Sequence, residues 1–126
     1  MLYILRFNIF ILALGLFGAL SSAFAQWSTN PFLNNAISTA TFTQASNTIV
    51  SDGAGGAIIT WLDYRSGDAD IYAQRINAAG VVQWTADGVA ISTAANWQQD
   101  PTITSDSAGG AIITWQDLRS GTNKDI

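Results

Sequence analysis

The chain has no cysteine, no histidine and no glutamate, and only two prolines and one methionine among its 126 residues. Without cysteine there is no disulfide framework, no thiol nucleophile and no cysteine-linked lipid, so stability must come from packing alone. Without histidine a Ser-His-Asp triad is excluded, and the usual general base and most transition-metal sites go with it. All nine acidic residues are aspartate. Aspartate closes turns through hydrogen bonds to its own backbone, whereas glutamate favours helices, so the bias points to a turn-rich chain. Positive charge is also scarce. Lys and Arg number five, the formal net charge is −4, and the only cations beyond the N-terminal segment are Arg65, Arg75, Arg119 and Lys124. That leaves no basic face for a nucleic acid or an anionic membrane, and no nucleic-acid partner is expected.

What is present begins with a leader. Arg6 precedes an apolar run from Ile9 to Leu20, and Ala23-Phe24-Ala25 supplies an Ala-x-Ala site. This is the pattern of a secretory signal peptide over residues 1–25, cleaved after Ala25 to leave Gln26 as the mature N-terminus. Export to the cell surface or the medium is expected, with no stable membrane insertion after cleavage. The competing reading is an uncleaved anchor, because Phe7 to Phe24 approaches the roughly 18 residues needed to span a bilayer. Much of the 48% hydrophobic content lies in this leader, so the mature chain is more polar than the whole.

The dominant feature of the mature chain is an internal repeat. Ser51 to Gly67 returns at Ser105 to Gly121 with fourteen of seventeen positions identical and a constant shift of 54 residues. Ala36-Ile37-Ser38-Thr39-Ala40 and Thr48-Ile49 return at the same shift, and Asp70-Ile71 returns as Asp125-Ile126 after one inserted residue. A unit of this length is one supersecondary element that buries its apolar faces by stacking on copies of itself. The organisation read from this is a signal peptide at 1–25, a linker or partial preceding repeat at 26–46, a first repeat at 47–100 and a truncated second repeat at 101–126. Further repeats of the same protein are the expected partners.

Within one unit the elements read as short strands. Asn47 to Ser51 runs into the glycine-rich reversal Asp52 to Gly56, and Ala57 to Trp61 follows as a strand whose contiguous apolar residues imply cover on both faces. Arg65 to Asp68 turns the chain into a third strand, Asp70 to Ile76. After Asn77-Ala78-Ala79-Gly80, Val81 to Trp84 is read as the fourth strand, with Val89 to Ile91 extending that edge. Thr93 to Asp100 is then a crossover and Pro101 opens the next strand, where a missing donor is tolerated. Four antiparallel strands in 54 residues match one blade of a β-propeller. The expected fold is therefore all-β, built of four-stranded antiparallel propeller-like blades. The alternative is a β-sandwich, which strings together strands of the same spacing.

The pattern Asp-Gly-x-Gly-Gly-Ala-Ile-Ile-Thr-Trp-x-Asp-x-Arg-Ser-Gly at 52–67, with Asp-Ile-Tyr-Ala-Gln-Arg-Ile at 70–76 and Gly80 to Trp84 beyond it, resembles the repeats of large secreted bacterial propeller-type proteins. The resemblance covers nearly all of the mature chain. It implies a propeller fold and a secreted or surface location, and no particular activity.

Five groups of residues are candidates for chemistry or architecture. Trp61 and Trp115 fall in apolar strands and read as core, since large aromatics dominate burial. Asp63 with Arg65, and Asp117 with Arg119, are two apart and on one face of a strand, which makes a repeated ion pair locking neighbouring blades the expected role. Trp97, among Asn96, Gln98 and Gln99, is the exposed aromatic best placed to touch a ligand. Asp63, Asp68 and Asp70 surround one hairpin and form a weak Ca²⁺ candidate through oxygen ligands, although the second copy puts Lys124 in that position. Turn closure explains the same carboxylates without a metal, and no cofactor is expected. Paired carboxylates could serve a glycosidase, but each aspartate already has a structural reading, so the chain is not expected to be an enzyme. The function read from sequence is a secreted or surface repeat scaffold, structural or binding a protein or carbohydrate ligand. Its alternative is the non-catalytic part of a longer secreted carbohydrate-active hydrolase.

Overall fold

A computed structural model of the chain describes Ser28 and residues 30–126. The expected signal peptide lies outside the described residues. Six strands run in order: β1 Gln44–Ser51, β2 Ala57–Asp63, β3 Asp70–Ile76, β4 Val89–Ser92, β5 Gln98–Ser105 and β6 Ala111–Asp117. The first four form one antiparallel sheet in sequential order, and β5 with β6 forms a second.

All seven residues of β2 are buried, as its contiguous apolar run predicts. Ala57, Ile59, Trp61 and Ile76 make a core cluster on one face, against which Ile37 and Tyr72 pack. The β2–β3 register is unbroken from Ala57↔Ile76 to Asp63↔Asp70. Strand β5 lies against β1, β2 and β3, bringing the second sheet onto the first. Its first residue is tied there, since the amide of Gln98 donates to the carbonyl of Ala69 at 2.8 Å.

The propeller expectation is overturned here, and with it the resemblance that implied one. A four-stranded and a two-stranded antiparallel sheet are present, and neither closes or curls into a ring of blades. Sheet stacked on sheet is closer to the sandwich alternative. Among the described residues the first copy forms the four strands β1 to β4 and the second the two strands β5 and β6, which pack on the first sheet through β5.

Two local readings also change. Val81 to Trp84 is not a strand, and only Val82 forms a bridge, to Ile76. The Gln74 side chain takes the place of a continuing ladder: its Oε1 accepts from the amide of Trp84 at 2.9 Å and its Nε2 donates to the carbonyl of Thr85 at 2.9 Å. The chain then turns at Asp87-Gly88 and re-enters as β4, with Ala90 opposite Tyr72 and Val89 opposite Ala73. Gly88 has φ +88°, and a Cβ there would meet Trp61 at 2.5 Å, so this turn lies directly over the buried indole. Pro101 does not open β5 but sits inside it, at a register shift between Gln99 and Thr102 where no ladder donor is required.

The two copies adopt the same backbone in detail. Phe42 and Asn96 take φ of 66° and 64°, Ser46 and Asp100 take 52° and 50°, and both first strands of the copies carry a bulge at the same step. Conformation therefore repeats at the 54-residue shift even where the residue does not, as Phe42 and Asn96, and Ser46 and Asp100, share the left-handed region.

Candidate functional site

Trp61 and Asp63 alternate toward one face at the end of β2, and the turn that follows brings Arg65 to the same place. The Asp63 carboxylate is fully buried and is surrounded by donors. Trp61 Nε1 donates to its Oδ2 at 2.9 Å, Arg65 Nη2 to the same oxygen at 2.6 Å, and Arg65 Nε to Oδ1 at 2.8 Å. The backbone amide of Arg65 adds a fourth bond, to Oδ1 at 3.0 Å. Burial works to raise the Asp63 pKa, but the hydrogen bonds from Arg65 and Trp61 outweigh it and hold the carboxyl below the usual carboxylate range. The guanidinium of Arg65 lies 4.0 Å above the Tyr72 ring and also donates to the carbonyl of Asp87 at 2.8 Å. Arg65 thus joins β2, β3 and the turn before β4. The pair stays within one sheet and does not bridge two, unlike the expected lock between neighbours.

The second copy repeats this arrangement in a more open setting. Asp117 accepts from Trp115 Nε1 at 3.2 Å, from Arg119 Nε at 2.9 Å and from the Arg119 amide at 2.8 Å, and pairs with Arg119 Nη2. The Arg119 hydrogen bonds hold Asp117 far below its ordinary pKa. Trp61 is 3% exposed, whereas Trp115 is only half-buried, so the two indoles are equivalent in position but not in cover. The Arg119 side chain is 58% exposed against 24% for Arg65.

Asp63 and Asp70 face each other across β2 and β3, with Asp68 in the intervening loop. Each carboxylate has its own protein donor. Asp63 is held by Trp61 and Arg65, Asp70 Oδ2 accepts from the Ser66 hydroxyl at 2.7 Å, and Asp68 Oδ1 accepts from Trp97 Nε1 at 3.2 Å. Among the described residues no group of three or more His, Cys, Asp or Glu is arranged to hold a metal.

Trp97 is 50% exposed and is fixed at both ends. Its indole nitrogen is held by Asp68 and its carbonyl accepts from the amide of Leu118 at 3.0 Å. It therefore offers a positioned aromatic face at the junction between the two sheets. A groove of about 210 Å³ beside Trp61 is lined by Ile37, Gln44, Ala45, Asn47 and Ile59.

One ion pair and one hydrogen-bonded carboxylate of consequence were not legible in the spacing. Asp52 is buried and accepts from the amides of Ala54 and Gly56, both at 2.8 Å, while Arg75 reaches its Oδ2 from 23 residues away with Nε at 3.0 Å and Nη2 at 2.9 Å. Asp87 accepts from the Thr39 amide at 2.6 Å and the Thr39 hydroxyl at 3.2 Å, tying the segment before β1 to the turn before β4. The signal that could have found Asp52 is its exact return as Asp106, where the same two amide bonds form to Ala108 and Gly110 at 2.8 Å.

No protein-family model, curated protein or solved structure matches this chain.

Proposed function

We propose that the chain is the non-catalytic part of a longer exported protein that acts on carbohydrate, and that Trp97 is its point of contact with the sugar. The observation that carries this reading is the placement of Trp97: a half-exposed indole, its N–H held by Asp68 and its backbone held by Leu118. A sugar ring stacks its C–H face on an aromatic surface, and a surface already fixed in the free protein loses little freedom on binding. The Asp-Arg-Trp constellations support the non-catalytic half of the reading, because Asp63 and Asp117 are each consumed by three or more hydrogen bonds within their own copy. Export follows from the leader pattern and belongs to the same proposal.

The test is titration of the full chain with soluble oligosaccharides of β-glucan, xylan and chitin type, followed by intrinsic fluorescence and calorimetry. Binding that is abolished by Trp97→Ala and retained in Trp84→Ala supports the reading. Release of new reducing ends by the purified chain, or sugar binding indifferent to Trp97, overturns it.

A further inference from the structure

Trp97 and Asp68 meet where the first copy hands over to the second, and both are residues in which the copies differ. At the 54-residue shift Trp97 stands where the first copy has Thr43, and Asp68-Ala69 stands where the second has Thr122-Asn123-Lys124. The backbone around them does repeat: the amide of Leu118 donates to the carbonyl of Trp97 at 3.0 Å, as the amide of Tyr64 donates to that of Thr43 at 3.1 Å. The side-chain pair is thus an addition to the repeated framework. Its flanks are filled by the β2–β3 connection of the first copy and by the start of β5 in the second, and the indole is still 50% exposed.

Both members are held in place. Gln98, fully buried, donates from Nε2 to the carbonyls of Ala94 and Asn96, each at 3.0 Å, which fixes the loop entering β5. The amide of Gln98 ties that loop to Ala69, and the Ser66 hydroxyl donates to the carbonyl of Asp68 at 3.3 Å. An indole N–H points outward in the ring plane, so the bond from Trp97 Nε1 to Asp68 Oδ1 at 3.2 Å sets the carboxylate at the rim of the ring. Asp68 is itself exposed. Among the described residues no protein group donates to its Oδ2, and the arginines at 65, 75 and 119 are paired with Asp63, Asp52 and Asp117 instead. The junction therefore presents an aromatic face with a negative charge at its edge and no protein cation paired to it, in a chain of net charge −4. An indole face attracts a cation through the ring quadrupole, and a carboxylate beside it adds a charge-assisted hydrogen bond.

We propose that Trp97 and Asp68 select an amino sugar with a free ammonium group, of the glucosamine type present in deacetylated chitin. This rests on the carbohydrate reading above and names its substrate class. The sugar stacks its C–H face on the indole, and the equatorial ammonium at its rim donates to Asp68 Oδ2. An N-acetyl group in the same place offers one N–H and no charge. A uronate brings a second carboxylate against Asp68. Glucosamine is therefore preferred over N-acetylglucosamine and glucose, and a uronate is the least favoured.

The probes are short oligomers of glucosamine, glucose and galacturonic acid, with the peptide Gly-Lys-Gly as an ammonium that is not a sugar. They are titrated against the full chain in mildly acid buffer of low ionic strength, where the amine carries its proton, with tryptophan fluorescence and calorimetry as readouts. The glucosamine oligomer should bind about tenfold more tightly than the glucose oligomer, and the galacturonate oligomer more weakly than either. Added salt should shrink that preference. Asp68→Asn keeps an acceptor for the indole and removes the charge, so it should bring glucosamine to the affinity of glucose and leave glucose binding unchanged. Because the salt and galacturonate arms use the unaltered chain, a folding defect in the variant does not remove the test. Equal affinities for the glucosamine and glucose oligomers, both lost in Trp97→Ala, overturn this proposal and leave the carbohydrate reading standing. Absence of Trp97-dependent binding by every sugar overturns both. Gly-Lys-Gly binding as tightly as the glucosamine oligomer means an ammonium site for polypeptide, and overturns the proposal too.

Discussion

Trp61 and Asp63 are two residues apart on one strand, and the indole nitrogen of the first donates to Oδ2 of the second at 2.9 Å; Trp115 and Asp117 repeat the bond at 3.2 Å. The spacing does the work. Two residues is the period of a strand, so an aromatic and a carboxylate at i and i+2 share one face whatever sheet they belong to. The turn that follows brings in the arginine at i+4, so a five-residue segment makes an ion pair on a buried carboxylate together with an indole donor.

Removing the carboxylate at the centre of the first constellation should be costly. Asp63→Ala leaves the Trp61 N–H and the Arg65 guanidinium without their acceptor in a largely buried site, and is expected to cost about 2 kcal/mol or more. Asp117→Ala should cost much less, because water reaches Arg119 and replaces the lost partner. Urea unfolding of the two variants beside the parent checks the order, and equal losses would contradict it.

The two tryptophans make a second matched pair. Trp61→Ala empties a site closed by Ile37, Ile59 and the Asp87-Gly88 turn, and about 3–5 kcal/mol should be lost. Trp115→Ala removes a half-buried ring and should cost less than half as much. Thermal denaturation followed by far-ultraviolet circular dichroism measures both.

Acid should unfold the chain through its aspartates. Asp52, Asp63, Asp87, Asp106 and Asp117 are all held below the ordinary value of 3.8 by hydrogen bonds from amides, hydroxyls or arginine. The unfolded chain then binds more protons than the folded one at low pH, so stability rises with pH across that range. The contribution is complete above the unfolded value of about 4 and is lost as pH falls through the lowered folded values. Unfolding free energy should be flat between pH 5 and 7 in this respect, fall steeply below about pH 4, and fall less steeply in Asp63→Asn. A stability that rises on acidification below pH 4 would be incompatible with these bonds.

Glycine positions distinguish the copies by what lies next to them. Gly56→Ala drives a methyl into the carbonyl of Ile76 and should cost about 3 kcal/mol, whereas Gly110→Ala presses only on the side chain of Asp106 and should be milder. Ser107 occupies the left-handed position that Gly53 fills in the first copy, at φ 63° against 74°. Ser107→Gly is expected to stabilise by about 0.5 kcal/mol, the relief of strain being partly offset by the entropy of glycine. Denaturant midpoints for the three variants test the ranking.

Much of the local structure was legible in the residues. The buried strand at Ala57, the strand from Asp70 to Ile76 and the Asp-Gly turns follow from contiguous apolar residues, β-rich composition and residues that accept positive φ, all of which act within a few positions. The place of Val81 to Trp84 was not legible, because what interrupts that strand is the Gln74 side chain bonding to two backbone groups ten and eleven residues away. The Asp52–Arg75 pair escaped for the same reason: 23 residues separate its members, and only the β2–β3 register brings them together.

The indole donor to each carboxylate came from the structure, but by itself the sequence determined that the chain is all-β, that one unit returns in part 54 residues on, and that each copy carries its own Asp-Arg pair. These are consequences of short-range periodicity and of identical segments taking identical backbone conformations. Only the tertiary structure decided that the two sheets do not close into a ring, that Trp61 is sealed while Trp115 is half-covered, and that Arg75 reaches Asp52. The reason is that cover and charge pairing depend on which strand lies alongside: among the described residues β2 sits between β1 and β3, while β6 is laddered to β5.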